Sequence, residues 1–218
     1  MKTNCAVIWR STHNQQMKRA RKVLILTNLL FFIITLFLYL GWFGHNHARD
    51  TSTALAQELR DHKERSEILN VLRPRGITLS QGLDIADSLL LHSRKNGVPL
   101  ALGMGIMKKE SQFKVDAISD FGATNERARG LMQLLPSTFR DYNKKLKLGF
   151  SEAAIYDPAV NIRISMLHLK DLIAENKPLS KSENDLWERV LNAYSDGARG
   201  YPAAVRRYQR EFEVKLNS

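Results

Sequence analysis

The chain has 218 residues, room for one ordinary domain with appendages and hardly for two. Its 33 basic and 22 acidic residues give a net charge of +11, but six basic and no acidic residues precede residue 45, so the rest carries a mild surplus that suits an anionic polymer without requiring one. Cys5 is the single cysteine, which excludes an intrachain disulfide and the usual multi-cysteine metal sites.

In chain order, residues 1–22 form a basic tail. Residues 1–16 show no helical or strand period, and Met17-Lys18-Arg19-Ala20-Arg21-Lys22 has the form of a normal anchor start. Val23–Gly44 is 22 residues without a charge, enough for one transmembrane helix. The basic residues before it orient the amino terminus to the cytoplasm and send the rest across, and Tyr39 and Trp42 sit near the outer end. A cleaved signal peptide is the competing reading; the apolar run is long for one, and the first Ala-x-Ala, Ala54-Leu55-Ala56, lies well past its end. Residues 45–75 are charged and helix-prone, with Leu55, Leu59 and Ile68 too sparse for heptads, and read as a stalk or linker. Arg73-Pro74-Arg75-Gly76 breaks that pattern and sets the expected domain boundary, leaving 76–218 as the folded domain.

Within 76–218 the signals are helical. Ser80 is the expected cap of a helix carrying Leu83, Ala86, Leu89 and Leu90, ended by Asn96-Gly97. Pro99 to Lys109 is uncharged up to Met107 and reads as a buried helix. Glu110 closes it where burial gives way to solvent. A carboxyl group held against apolar surroundings keeps its proton nearer neutral pH, as a general acid must. Pro136 opens a helix with Phe139 and Tyr142 inward and a break at Gly149. Asp157-Pro158 opens another, carrying Val160, Ile162, Ile164, Leu167, Leu169 and Leu172. Asn184 is the expected cap of the next, through Leu186, Trp187, Val190, Leu191 and Tyr194 to Gly197, and a basic helix from Pro202 to Lys215 closes the chain. The fold class expected is mainly α.

Four blocks in order now carry a resemblance: Glu110-Ser111 with Phe113, Ala117 and Ser119; Gly130-Leu131-Met132-Gln133 with Leu134, Pro136 and Thr138; Asp157-Pro158 with Asn161-Ile162; and Ala193-Tyr194 with Gly197. From Val98 to Tyr208 the chain resembles lytic transglycosylases of the soluble-lytic-transglycosylase type. The resemblance implies a lysozyme-like domain behind the membrane helix, held in the periplasm at the bacterial inner membrane. It implies peptidoglycan glycan strands as substrate, cut between N-acetylmuramic acid and N-acetylglucosamine with a 1,6-anhydro end, in wall turnover or in clearing a path for an envelope-spanning machine or phage. Glu110 is then the catalytic acid and base, and Ser111, Ser119, Met132, Gln133, Tyr194 and Ser195 the substrate-binding residues, with the Tyr194 hydroxyl close to the carboxyl group of Glu110.

Each residue also has a plainer reading. Ser111 suits a helix C-terminal hydroxyl, Gln133 a buried amide bracing its loop, Met132 and Tyr194 core packing, and Asn161 a scaffold brace. Asp116, Asp120 and Glu126 read as solvated loop carboxylates; a second catalytic carboxylate among them would point to hydrolysis. The loop within 120–129 is about five residues longer than the family pattern, Ser195 replaces the usual asparagine, and Ser165 stands where glycine is common. A hydrolytic muramidase and an idle peptidoglycan-binding or assembly protein on the same fold stay open beside the transglycosylase. The six histidines lack an HExxH-type spacing, so no metal and no other cofactor is expected, and no nucleic-acid partner, for want of a basic helix with interleaved aromatics.

Overall fold

The computed structural model describes residues 3–121 and 126–217; within the first 51 residues it describes side chains only for Lys22, 27–40 and Trp42. The chain divides into two compact units, Met1–Glu58 and Leu59–Ser218. Helix α1 (Thr3–Leu72) contributes to both.

In the first unit the large apolar side chains from Leu29 to Leu40, and Trp42, are all exposed, Phe37 the most at 73%. A helix apolar on every side has no packing face of its own to turn inward. Among the described residues no helix is long and apolar enough to cross a membrane. The side chains of 23–26, 41 and 43–44, and those of the tail up to residue 21, lie outside the described residues.

The second unit begins inside the expected stalk. Leu55 and Leu59 are exposed, but Ile68, Val71 and Leu72 are buried, and Arg94 binds Asp61 at 2.6 Å and Glu64 at 2.7 Å while Arg65 binds Asp87 at 2.6 Å. The last turns of α1 are therefore part of the fold, and the Arg73–Arg75 3-10 turn with left-handed Gly76 is a bend within it.

Helix α2 (Leu79–Asn96) starts from Thr78 rather than Ser80: the Thr78 hydroxyl accepts from the Gln81 amide and the Gln81 side chain returns to the Thr78 N–H, a capping box. Helix α3 (Leu100–Glu110) is buried from Ala101 to Met107. A two-stranded antiparallel hairpin follows, β1 (Ile118–Phe121) and β2 (Arg127–Arg129), within the lengthened loop. Helix α4 (Pro136–Lys145) stops short of Gly149, because Lys147 already turns left-handed at φ 52° and the Asn143 side chain pairs with both backbone groups of Phe150. Helix α5 (Pro158–Asn176) is capped by Asp157 as expected. Helix α6 (Glu183–Tyr194) is capped by Ser182, not Asn184, and α7 (Tyr201–Asn217) ends the chain. The unit is mainly α, with one core along α2, α3, α5, α6 and α7 and a smaller one around Leu134, Phe139, Ile155 and Ile164.

Candidate active site

Glu110 is held in place by the close seating of α3 on α7. A methyl group added at Gly105 would lie 3.0 Å from the Val205 carbonyl oxygen and 3.1 Å from the Gln209 nitrogen, so only glycine lets the backbones approach this far. Ala101 to Met107 are buried, and the helix ends at Glu110, half-buried at the edge of a cavity of about 460 Å³. Lys109, Ser119, Gln133, Tyr194, Ser195, Asp196 and Tyr201 also line it.

The hydroxyl of Tyr201, the first residue of α7 and itself buried, donates to Glu110 Oε1. Burial pushes the Glu110 carboxyl up to about 6; the Tyr201 hydrogen bond and the Lys109 charge pull the other way and only partly offset it. Tyr201 is itself pushed well above the ordinary phenol range, by burial first and by the charge of Glu110 next, so it remains a donor. Tyr194 is raised by the same two causes, but its hydroxyl donates to the Met132 carbonyl oxygen at 2.8 Å. The direct bond to Glu110 is thus made by Tyr201, while Tyr194, expected close to that carboxyl group, lines the same cavity and feels its charge.

Opposite stands the Gly130–Gln133 loop, a tight turn closed by reciprocal backbone bonds between Arg129 and Leu134, both 3.0 Å. Asn161, fully buried on α5, fills its base: Nδ2 donates to the carbonyls of Arg129 (3.0 Å) and Ile155 (2.8 Å), and Oδ1 accepts from the Met132 N–H at 2.9 Å. Gly130 is left-handed at φ 79°, and a methyl group there would meet Asn161 Nδ2 at 2.5 Å. The Tyr194 bond then ties the end of α6 to this loop.

Of the residues the sequence singled out, Glu110, Ser119, Gln133, Tyr194 and Ser195 come together around the cavity. Gln133 Nε2 is used on the carbonyls of Ala117 and Gly130, which turns the amide into a brace as well as a wall. The Ser119 hydroxyl accepts from the Ala128 N–H at 2.9 Å across the hairpin, and that of Ser195 donates back to Leu191 at 2.9 Å. Two others do not line the cavity. Met132 is fully buried and acts through its backbone; Ser111 is buried, its hydroxyl bonded to the Leu131 carbonyl at 2.8 Å and to the Phe113 N–H at 3.1 Å. Asp116 and Asp120 are exposed away from the cavity, and Glu126 receives the Ser137 N–H at the start of α4. Among the described residues no group of three or more acidic, histidine or cysteine side chains is placed to hold a metal.

Sequence reasoning missed Tyr201 and Asp196. Tyr201, Val205, Gln209 and Phe212 share the buried face of α7, so periodicity alone marks Tyr201 as core. Asp196 is a left-handed residue (φ 50°) in the α6–α7 turn, at the position between Ser195 and Gly197 that the fourth block leaves unspecified.

The profile of the Transglycosylase SLT domain family matches residues 90–215, more than half of the chain. The chain belongs to this family. It is 35% identical over 130 residues to membrane-bound lytic murein transglycosylase C of Mannheimia succiniciproducens, a match covering 57% of this chain and 34% of that protein. The chain thus matches about a third of that relative's length. Among solved structures, an inactive mutant of the lytic transglycosylase Slt from Pseudomonas aeruginosa aligns with 60% of this chain and 24% of its own, at 22% identity and a TM-score of 0.47.

Proposed function

We propose that the chain is a peptidoglycan lytic transglycosylase of the cell envelope, held at the inner membrane by residues 23–44 with its folded unit in the periplasm. The observation that carries the reading is Glu110: a half-buried carboxyl group, raised to about 6, on the wall of a cavity large enough for sugar rings. Membership of the SLT family names the polymer. Protonated Glu110 gives its proton to the oxygen between N-acetylmuramic acid and N-acetylglucosamine as the C1–O bond breaks, and the N-acetyl group stabilises the sugar cation. The carboxylate then takes the proton of the muramoyl 6-hydroxyl, and O6 bonds to C1. Glu110 is restored and no water is consumed. Gln133 and Ser119 orient the sugars in this account, while Tyr194 holds the loop that carries Gln133. Incubation of purified sacculi with the full chain in detergent should release soluble fragments; no release over a range of pH and salt would remove the reading.

Tyr201 favours the ionised form of Glu110 by donating to it. In Tyr201→Phe the Glu110 carboxyl rises further, so the alkaline limb of the pH–activity profile moves to higher pH while kcat falls about tenfold, as the carboxylate that develops in the acid step loses a charge-assisted hydrogen bond. An unmoved profile would reduce Tyr201 to a packing residue.

Asp196 on the same cavity supports a second reading, a hydrolytic muramidase in which it activates water. Asp196→Asn would then abolish cleavage; the transglycosylase reading expects it to be tolerated.

The anchor rests on the uncharged run 23–44 and on the exposed apolar side chains from Leu29 to Trp42, which call for a hydrocarbon surrounding. The full chain should stay in the membrane pellet under alkaline carbonate, and removal of 23–44 should free it. Complete extraction of the intact chain would refute the anchor.

A further inference from the structure

His168 on α5 is a half-buried titratable group that the cleavage chemistry does not use. It does not line the Glu110 cavity. Its ring packs against Tyr194 of α6, with centroids 5.8 Å apart, and against Tyr142 of α4 at 6.0 Å. Tyr194 belongs with the larger core and Tyr142 with the smaller, so one imidazole joins the two.

The two contacts lead to different places. Toward α4, the Tyr142 hydroxyl donates to Asp171 Oδ2 at 2.8 Å and Lys145 Nζ to the same oxygen at 3.0 Å, which pins that ring to α5. Toward α6, the Tyr194 hydroxyl donates to the Met132 carbonyl at 2.8 Å, so whatever fixes the Tyr194 ring also fixes the Gly130–Gln133 loop. We infer that His168 is a positioning residue for strand cleavage, setting the Tyr194 ring and through it the loop that carries Gln133. The inference rests on the reading of the preceding subsection.

Packing alone would be served as well by phenylalanine; imidazole adds a charge that changes between pH 5 and 8. Among the described residues the contacts of His168 are with rings, and no group hydrogen-bonds its nitrogens. Burial therefore outweighs the attraction of Asp171 and Glu175 on its own helix and holds the imidazole below its ordinary 6.5. The groups facing it from α4 and α6 do not reverse this: Lys145 is spent on Asp171, and Tyr142 and Tyr194 are both pushed up and stay neutral. As pH falls, the imidazole takes a charge that its packed position does not repay, and its hold on Tyr194 loosens.

The test is the pH profile of fragment release from purified sacculi by the full chain in detergent, for the parent, His168→Ala and His168→Phe, with amide hydrogen exchange of residues 130–134 followed in the same proteins. Glu110 starts the reaction protonated, so the one-carboxyl mechanism has an alkaline limb and no acid limb of its own. The parent should nonetheless lose activity toward acid pH while still folded by its denaturation midpoint. His168→Ala should lower kcat about tenfold and speed exchange across the loop. His168→Phe should restore most of both and lose the acid limb. With Tyr194→Phe already present, His168→Ala should cost less than about twofold more, because the loop no longer hangs from that hydroxyl. An acid limb kept in His168→Phe, or loop exchange unchanged in His168→Ala, would overturn the inference and leave the Glu110 reading standing. No release by the parent at any pH would count against the Glu110 reading and remove a role for His168 in cleavage with it.

Discussion

Glu110→Gln should lower strand cleavage about 10²- to 10⁴-fold, the usual worth of a positioned acid or base, and at the same time make the protein more stable at neutral pH. Both effects have one cause. Folding moves the Glu110 carboxyl from its ordinary 4.5 to about 6 because burial penalises its charge. Below pH 4.5 the group is protonated in both folded and unfolded chains and costs nothing. Between 4.5 and 6 the folded chain keeps a proton that the unfolded chain has released, so stability falls as pH rises. Above 6 the full penalty is present, about 2 kcal/mol for a shift of this size. Glutamine does not titrate, and its Oε1 still accepts from Tyr201. The stability gap between variant and parent should therefore be near zero at pH 4 and open to about 2 kcal/mol at pH 7, read from denaturation midpoints of the folded unit. A gap that does not change with pH would mean that Glu110 is solvated, and the argument for a raised acid would fail with it.

Asn161→Ala should be the most damaging substitution outside the cavity itself. It leaves the Met132 N–H and the Ile155 carbonyl buried without their side-chain partner, and opens a void beneath the Gly130–Gln133 loop. Each of the two orphaned backbone groups costs about 1–3 kcal/mol, so a loss of about 2–6 kcal/mol is expected. The loop carries Gln133 and receives the Tyr194 hydroxyl, so cleavage should also drop, by about tenfold or more in protein still folded at the assay temperature. Gly130→Ala strikes the same contact from the other side, through its left-handed backbone and its collision with Asn161 Nδ2. The two lesions should not add: with Asn161 already shortened, the alanine methyl has room, and the double variant should be more stable than the sum of the single effects requires. Additivity within about 0.5 kcal/mol would show that Asn161 and Gly130 act independently.

Much of this architecture is legible in the sequence, and the misses have physical reasons. The buried run before Glu110, the Asn96-Gly97 stop and the Asp157-Pro158 start are local signals, and each appears where the residues put it. The two misplaced caps are also local: Thr78 has Gln81 three residues on and Ser182 has Asp185, whereas Ser80 and Asn184 fall inside their helices. The end of the stalk was hidden for a different reason. Ile68, Val71 and Leu72 have the spacing of a single short stripe, too brief for a periodic signal, and only the partner surface on α2 makes it a core. The 118–129 hairpin is polar and does not alternate; side-chain bonds such as Arg127 Nε to the Ser119 carbonyl help hold it, and propensity does not report such bonds.

The candidate site divides in the same way. Glu110 stands out only because the Glu110-Ser111 block opens four blocks in order, since a glutamate beside lysines at a helix end is by itself an ordinary surface residue, and Gln133, Tyr194 and Ser195 stand out because the same blocks mark them. Ser111 and Met132 share those motifs yet face inward, since a motif preserves the turn as much as the cavity wall. Tyr201 reaches Glu110 only through the close crossing of α3 and α7 at Gly105, a contact between residues some ninety positions apart that no local pattern announces.

The most direct test of the account is the mass of the sugar ends released from purified sacculi by the full chain, beside Glu110→Gln. The account predicts 1,6-anhydro-muramoyl ends, lighter than hydrolytic ends by one water, from the parent and none from the variant. Reducing ends carrying solvent oxygen would contradict it and place a water-activating carboxylate, Asp196 first, beside Glu110.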